Sequence, residues 1–208
     1  MYEFITYVVL LLSVVCCCHS YSLGPPDTVC ESMLPNHNVS VYSAEPAPFS
    51  FRLNATEYGP GDVIEVFVKA EGQWFMEGTM IQARTVECQG GVTSVGEFSV
   101  QASEDFLKPM KCFKKKASAL VHYSHLHIYN RTFFWTAPSE PVGHVFLKAT
   151  FVRNVKIFWM NVHSPFIFDK SNSTRTGLNK DFTCGADVNR AAMTLLIGIT
   201  TLVYLLKI

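Results

Sequence analysis

Three imidazoles within six residues, His122, His125 and His127, form a dense set of metal-capable side chains in this 208-residue chain. On a strand, His125 and His127 share a face. A third imidazole from a neighbouring strand (His37, His144 and His163 lie elsewhere) would then complete a zinc or copper site. The plainer reading is of ordinary surface or half-buried imidazoles. A second concentration is electrostatic. Lys108, Lys111, Lys114, Lys115 and Lys116 place five positive charges in nine residues around Cys112. Such a run attracts sulfated glycans, anionic lipid or bacterial surface polymer through screened Coulomb forces, although many charge runs are only solvated loops.

Catalysis finds little support. The chain has no nucleophile elbow, zinc-protease helix or phosphate-cradling glycine loop. Asp27, Glu31, Glu104 and Asp105 are too close in sequence, or too turn-like in setting, to read as an acid–base pair. No catalytic residue and no cofactor is expected. Trp135 and Trp159 read as core. Trp74, in a glycine-bearing loop, reads as an exposed contact residue.

Both ends of the chain are apolar. Residues 1–20 have the short hydrophobic run and the Cys18-His19-Ser20 ending of a secretory signal peptide. Four Asn-x-Ser/Thr sequons, at Asn38, Asn54, Asn130 and Asn172, fit a surface exposed to the glycosylation machinery. Residues 191–208 form a second apolar run. It reads as a GPI-attachment signal, with cleavage around Asn172-Ser173 or around Cys184-Gly185; a single spanning helix and a secreted tail are the alternatives. The expected location is therefore extracellular, at the cell surface. Of seven cysteines, Cys30, Cys88, Cys112 and Cys184 lie outside the leader. An even number in an exported domain reads as disulfides, with three pairings open.

The residues between these ends make one domain, 21–168, followed by a polar stalk over 169–190. Charge is balanced overall but not along the chain: up to Asp105 there are 3 basic and 13 acidic residues, and the bias then reverses. Short β-branched and aromatic runs separated by turn formers predict strands at 63–68, 80–84, 96–101, 120–129, 131–135, 144–152 and 156–162. Helical periodicity is missing between the two ends. The class is all-β, a β-sandwich.

Cys30 with Met33-Leu34-Pro35, then Tyr58-Gly59-Pro60-Gly61, Gln82-Ala83-Arg84, Gly96-Glu97-Phe98, Cys112, Val121-His122, Trp135-Thr136-Ala137-Pro138 and Val145 to Thr150 follow in an order that resembles a reeler (reelin N-terminal) domain. The resemblance covers about 24–166 and departs from the family's pattern at Thr79. It implies an immunoglobulin-like antiparallel sandwich and a disulfide between Cys30 and Cys112. That bridge closes a loop of about 80 residues, worth roughly 4 kcal/mol in the chain-entropy model. Cys88 and Cys184 would form the remaining pair. His122 belongs to the family's structural pattern.

Reeler domains occur in matrix proteins, at the front of ferric-chelate reductases, and as small stand-alone defence proteins. The resemblance implies a non-catalytic, membrane-tethered binding protein of the last type, acting in innate defence or surface recognition. Its partner would be a protein, a glycan or a microbial surface, and the compartment argues against nucleic acid. A metal- or redox-linked relative of the reductase ectodomains is the alternative. The histidine-bearing haem domain such a reductase needs has no counterpart in this sequence.

Overall fold

The computed structural model describes residues 24–35, 46–86, 93–176 and 178. After one 3-10 turn at Asp27–Val29 come ten strands: β1 (Phe49–Leu53), β2 (Glu57–Tyr58), β3 (Val63–Ala70), β4 (Gly78–Thr85), β5 (Glu97–Ser99), β6 (Leu107–Cys112), β7 (Lys115–His122), β8 (Asn130–Thr136), β9 (Val145–Val152) and β10 (Phe158–Asp169). They form a four-stranded sheet, β1-β3-β8-β5, and a six-stranded sheet, β2-β10-β9-β4-β7-β6. Paired strands are antiparallel except β2, which lies parallel to the end of β10. The class is the all-β sandwich expected.

Period-two alternation explains the inner layer. In β3, Ile64, Val66, Val68 and Ala70 point inward while Val63, Glu65, Phe67 and Lys69 point outward. Tyr58, Phe98, Phe133, Trp135 and Phe151 fill the space between the sheets and are fully buried. Each such ring removed from water contributes about 2–3 kcal/mol. Their polar atoms are satisfied inside: the Trp135 indole donates to the Val95 carbonyl at 3.0 Å, and the Tyr58 hydroxyl to that of Gly143 at 2.6 Å. Trp159, expected in the core with Trp135, is also there.

One strand was misplaced by the sequence pattern. The run expected over 120–129 is β7, which starts earlier and ends at His122; residues 123–129 form a loop that carries an isolated Met76–Ile128 bridge and a hydrogen bond from Ala70 N to the Tyr129 carbonyl. Polar anchors cause the break: the Tyr123 hydroxyl donates to the Glu104 carbonyl and the Ser124 hydroxyl to that of Asp105. β1, β2 and β6 were not foreseen. β10 runs beyond the predicted 156–162 because bulges absorb its polar residues, with register shifts at Trp159/Val162 and His163/Phe166. Asp169, read from sequence as the first stalk residue, is buried at the end of β10, and residues beyond it touch the domain through an Arg175–Glu57 ion pair.

The register also sorts the loops by end. Met80 faces Val121, Thr85 faces Val145, and Val145 faces Ile167. The β6–β7 turn therefore lies at the end of the sandwich where β10 finishes. The β3–β4, β7–β8 and β9–β10 connections lie at the opposite end.

Candidate functional site

β4 is buried on both faces because the segment before β1 lies across the outer face of its sheet. Val29, Cys30 and Met33 pack there on Met80, Ala119 and Val121. Cys30 is bonded to Cys112 with their Cα atoms 5.7 Å apart, the pairing the family resemblance implies. In Gln82-Ala83-Arg84 the alanine faces the core and the flanking polar residues face the segment. Gln82 Nε2 and Arg84 Nη2 both donate to the Cys30 carbonyl, at 3.0 and 3.1 Å, and the Thr150 hydroxyl donates to that of Met33 at 2.8 Å. Thr79, where the sequence departs from the family, is buried and donates to the Thr150 carbonyl.

Burial holds the Arg84 guanidinium down to about 10, against the pull of Glu31, so it is still charged at neutral pH. Lys148, half-buried on the same face, is lowered by its burial and then by Arg84.

The basic run is not a loop but an ordered hairpin, β6–turn–β7. Phe113 and Lys114 make the turn with φ of 53° and 63°. Ser118 stitches its base: its oxygen accepts from Cys112 N at 3.0 Å, and its proton is shared between the Cys112 and Lys115 carbonyls. The Arg84 guanidinium lies 5.3 Å from the Phe113 ring centroid and braces the turn from below. Lys108, Lys111, Lys114, Lys115 and Lys116 are all exposed. None makes an ion pair among the described residues; Lys115 Nζ instead donates to Thr93 Oγ1 and the Ser94 carbonyl, each at 3.2 Å. The disulfide and these bonds present five like charges on a fixed edge.

The histidines are not brought together. His122 Nδ1 lies 3.1 Å from Thr79 N at the end of β7, His125 is exposed in the following loop, and His127 Nε2 pairs with Glu77 at 2.8 Å. Because 123–129 is not a strand, the shared face expected for His125 and His127 does not form. Among the described residues no group of three His, Cys, Asp or Glu side chains stands within reach of one metal ion. His144 is structural: its Nδ1 accepts from Asp169 N and its Nε2–H donates to the Thr174 carbonyl. Of the four carboxylates, Glu104 and Asp105 both grip Arg131.

At the opposite end lies a cluster that the sequence showed only through Trp74. Arg153 stands 4.7 Å over Trp74 and 5.1 Å over Phe75, and His127 stacks on Phe75 at 4.1 Å. Three loops supply these residues, so no local pattern marks them. Trp74 is half-buried, edge-on to Trp159. Of the sequons, Asn54 and Asn130 are exposed and Asn172 is half-buried, its Oδ1 accepting from Thr174 N. Ser173 is exposed. Asn38, Cys88, Cys184, Gly185, the leader and the apolar tail lie outside the described residues.

The known proteins this chain resembles point the same way as its fold. The family model described as Reeler domain matches residues 28–175. "Putative ferric-chelate reductase 1" of Danio rerio is 33% identical over 159 residues, which cover 76% of this chain but 27% of that protein. "Putative defense protein Hdd11" of Hyphantria cunea is 29% identical over 163 residues, covering 76% of this chain and 94% of its own. The human F-spondin reeler domain superposes with a TM-score of 0.51 at 20% identity, over 62% of this chain and 94% of that one. The chain belongs to the Reeler domain family.

Proposed function

We propose that this protein is a non-catalytic extracellular recognition domain, tethered at the cell surface by a GPI anchor that the apolar signal at 191–208 directs, whose Lys108–Lys116 hairpin engages polyanionic surfaces. The observation that carries the proposal is the hairpin itself: five exposed lysines with no acidic partner among the described residues, on an edge fixed by the Cys30–Cys112 bridge. A fixed array loses little entropy on binding a regularly charged polymer, and its Coulomb field concentrates that polymer nearby. Sulfated glycan is the polymer class proposed. The match over nearly the full length of a protein named for defence supports a role in host defence. The reductase relative is matched over about a quarter of its length, so its redox activity is not carried over.

A heparin column tests this directly. The triple variant Lys114→Ala, Lys115→Ala, Lys116→Ala should elute at markedly lower salt than the parent chain, and equal elution would reject the assignment. Tethering is read separately, by release from cells with phosphatidylinositol-specific phospholipase C.

A further inference from the structure

We infer that the solvent face of the four-stranded sheet is a platform for an N-linked glycan on Asn130, which packs along Thr132 and Phe67 and closes this face to other partners. The inference rests on the extracellular reading above. In β8 the inward positions are Phe133 and Trp135, both fully buried, so Asn130, Thr132 and Phe134 share the outward face. The two residues that define the sequon therefore project side by side toward solvent, about 7 Å apart along the strand. Across the ladder, Asn130 faces Lys69, Thr132 faces Phe67, and Phe134 faces Glu65. Phe67 is thus the direct cross-strand neighbour of the sequon threonine, with side chains about 5 Å apart at Cβ.

Phe67 is an apolar ring on a face whose next strand adds Ser50 opposite Lys69 and Arg52 opposite Phe67. The Arg52 guanidinium stands 5.4 Å from the Phe67 ring centroid. A ring face carries partial negative charge, which the axial C–H groups of a pyranose complement, and Lys69 and Arg52 supply donors for its hydroxyls. A second sequon borders the same face: Asn54 Oδ1 accepts from Glu65 N at 2.9 Å. Attachment forms the bond between Asn130 Nδ2 and the anomeric carbon of the first N-acetylglucosamine. It breaks that carbon's bond to a lipid-pyrophosphate donor, and the amide proton leaves with the lipid pyrophosphate. With this face covered, recognition falls to the basic hairpin and the loops at the sandwich ends.

The test uses the full chain expressed in animal cells. Peptide mass spectrometry should find Asn130 occupied. Thr132→Ala, which removes the sequon, should lower the melting temperature by about 3 °C relative to Thr132→Ser, which keeps it. In a Phe67→Leu background, which keeps apolar bulk but lacks the ring, that difference should vanish. After trimming to a single N-acetylglucosamine, its acetamido methyl should show nuclear Overhauser contacts to the Phe67 ring. An unoccupied Asn130, an undiminished difference without the ring, or a sugar with no contact to Phe67 would each overturn the inference. Occupancy at Asn54 with Asn130 bare would leave the extracellular reading standing, whereas glycan at no sequon would remove that reading too.

Discussion

Arg84 donates through Nη2 to the backbone carbonyl of Cys30 at 3.1 Å, reaching across the outer face of the sheet to hold the residue that the disulfide also holds. The two fastenings act on one spot from different directions. The bridge ties Cys30 to the basic hairpin, and Arg84 ties it to the middle strand of the same sheet while bracing the hairpin turn at Phe113. The placing of the lysines therefore depends on residues that carry no part of the array.

Removing the bridge should separate charge from presentation. In the double variant Cys30→Ser, Cys112→Ser a constraint across 82 residues is lost, costing about 4 kcal/mol in urea unfolding. Every lysine stays. If a fixed array is what binds, the folded double variant elutes from heparin at lower salt than the parent. Unchanged elution would mean that net charge suffices and the hairpin's order is irrelevant to binding.

Arg84 is expected to matter for its stem more than for its charge. It is buried, its Nε has no hydrogen-bond partner, and no carboxylate lies within ion-pair distance among the described residues. Replacing such a group with an apolar one of similar length is often close to neutral. Arg84→Met should stay within about 1 kcal/mol of the parent by chemical denaturation, whereas Arg84→Ala, which empties the space beneath Phe113, should cost about 2 kcal/mol. Equal losses would show that the hydrogen bond to Cys30 dominates.

How much of this was legible depends on where each contact is made. β3 announces itself because one face of it is core, so buried and exposed residues alternate, and β8 through its aromatic run Phe133-Phe134-Trp135. β6 hides because Leu107-Lys108-Pro109-Met110-Lys111-Cys112 is an edge strand, where proline and lysine are tolerated and even protective against stray pairing. The same fact offers the lysines a purely structural role, which is why the heparin measurement is decisive. Gln82 and Arg84 look like solvent-facing residues of a strand, and only the segment that covers them, some fifty residues earlier, makes them buried. The Arg153–Trp74–Phe75–His127 cluster draws on three loops, and its members share no sequence period.

Acid should loosen the end where β10 finishes. Burial alone raises the Asp169 carboxyl, but hydrogen bonds from the Ser171 hydroxyl and N–H and from Gly143 N–H, with His144 nearby, outweigh it and leave it below the usual 3.8. Asp62 is lowered as well, by its hydrogen bonds from Lys170 and Gly59. A carboxyl made more acidic by folding contributes stability that is complete above its unfolded value and disappears as pH falls through the folded one. Stability should therefore drop between pH 5 and pH 2. Asp169→Asn should be less stable at pH 7 but show a shallower drop over that interval, read from urea midpoints at successive pH values. A drop as steep as the parent's would place the acid sensitivity elsewhere.

Two glycines separate backbone strain from steric exclusion. Gly96 and Gly72 both have positive φ, 69° and 61°. A Cβ on Gly72 would meet nothing within 4 Å, whereas one on Gly96 would stand 2.5 Å from the Thr136 carbonyl oxygen and 2.6 Å from Trp135 Cε2. Trp135 cannot retreat, because it is fully buried and its indole is bonded to Val95. Gly72→Ala should cost only the left-handed backbone penalty, about 1 kcal/mol. Gly96→Ala adds a collision with backbone and with the largest core ring, and should cost more than about 3 kcal/mol. Thermal melts of the two variants decide the matter: comparable losses would mean that the close approach of β5 to Trp135 is not what fixes glycine at position 96.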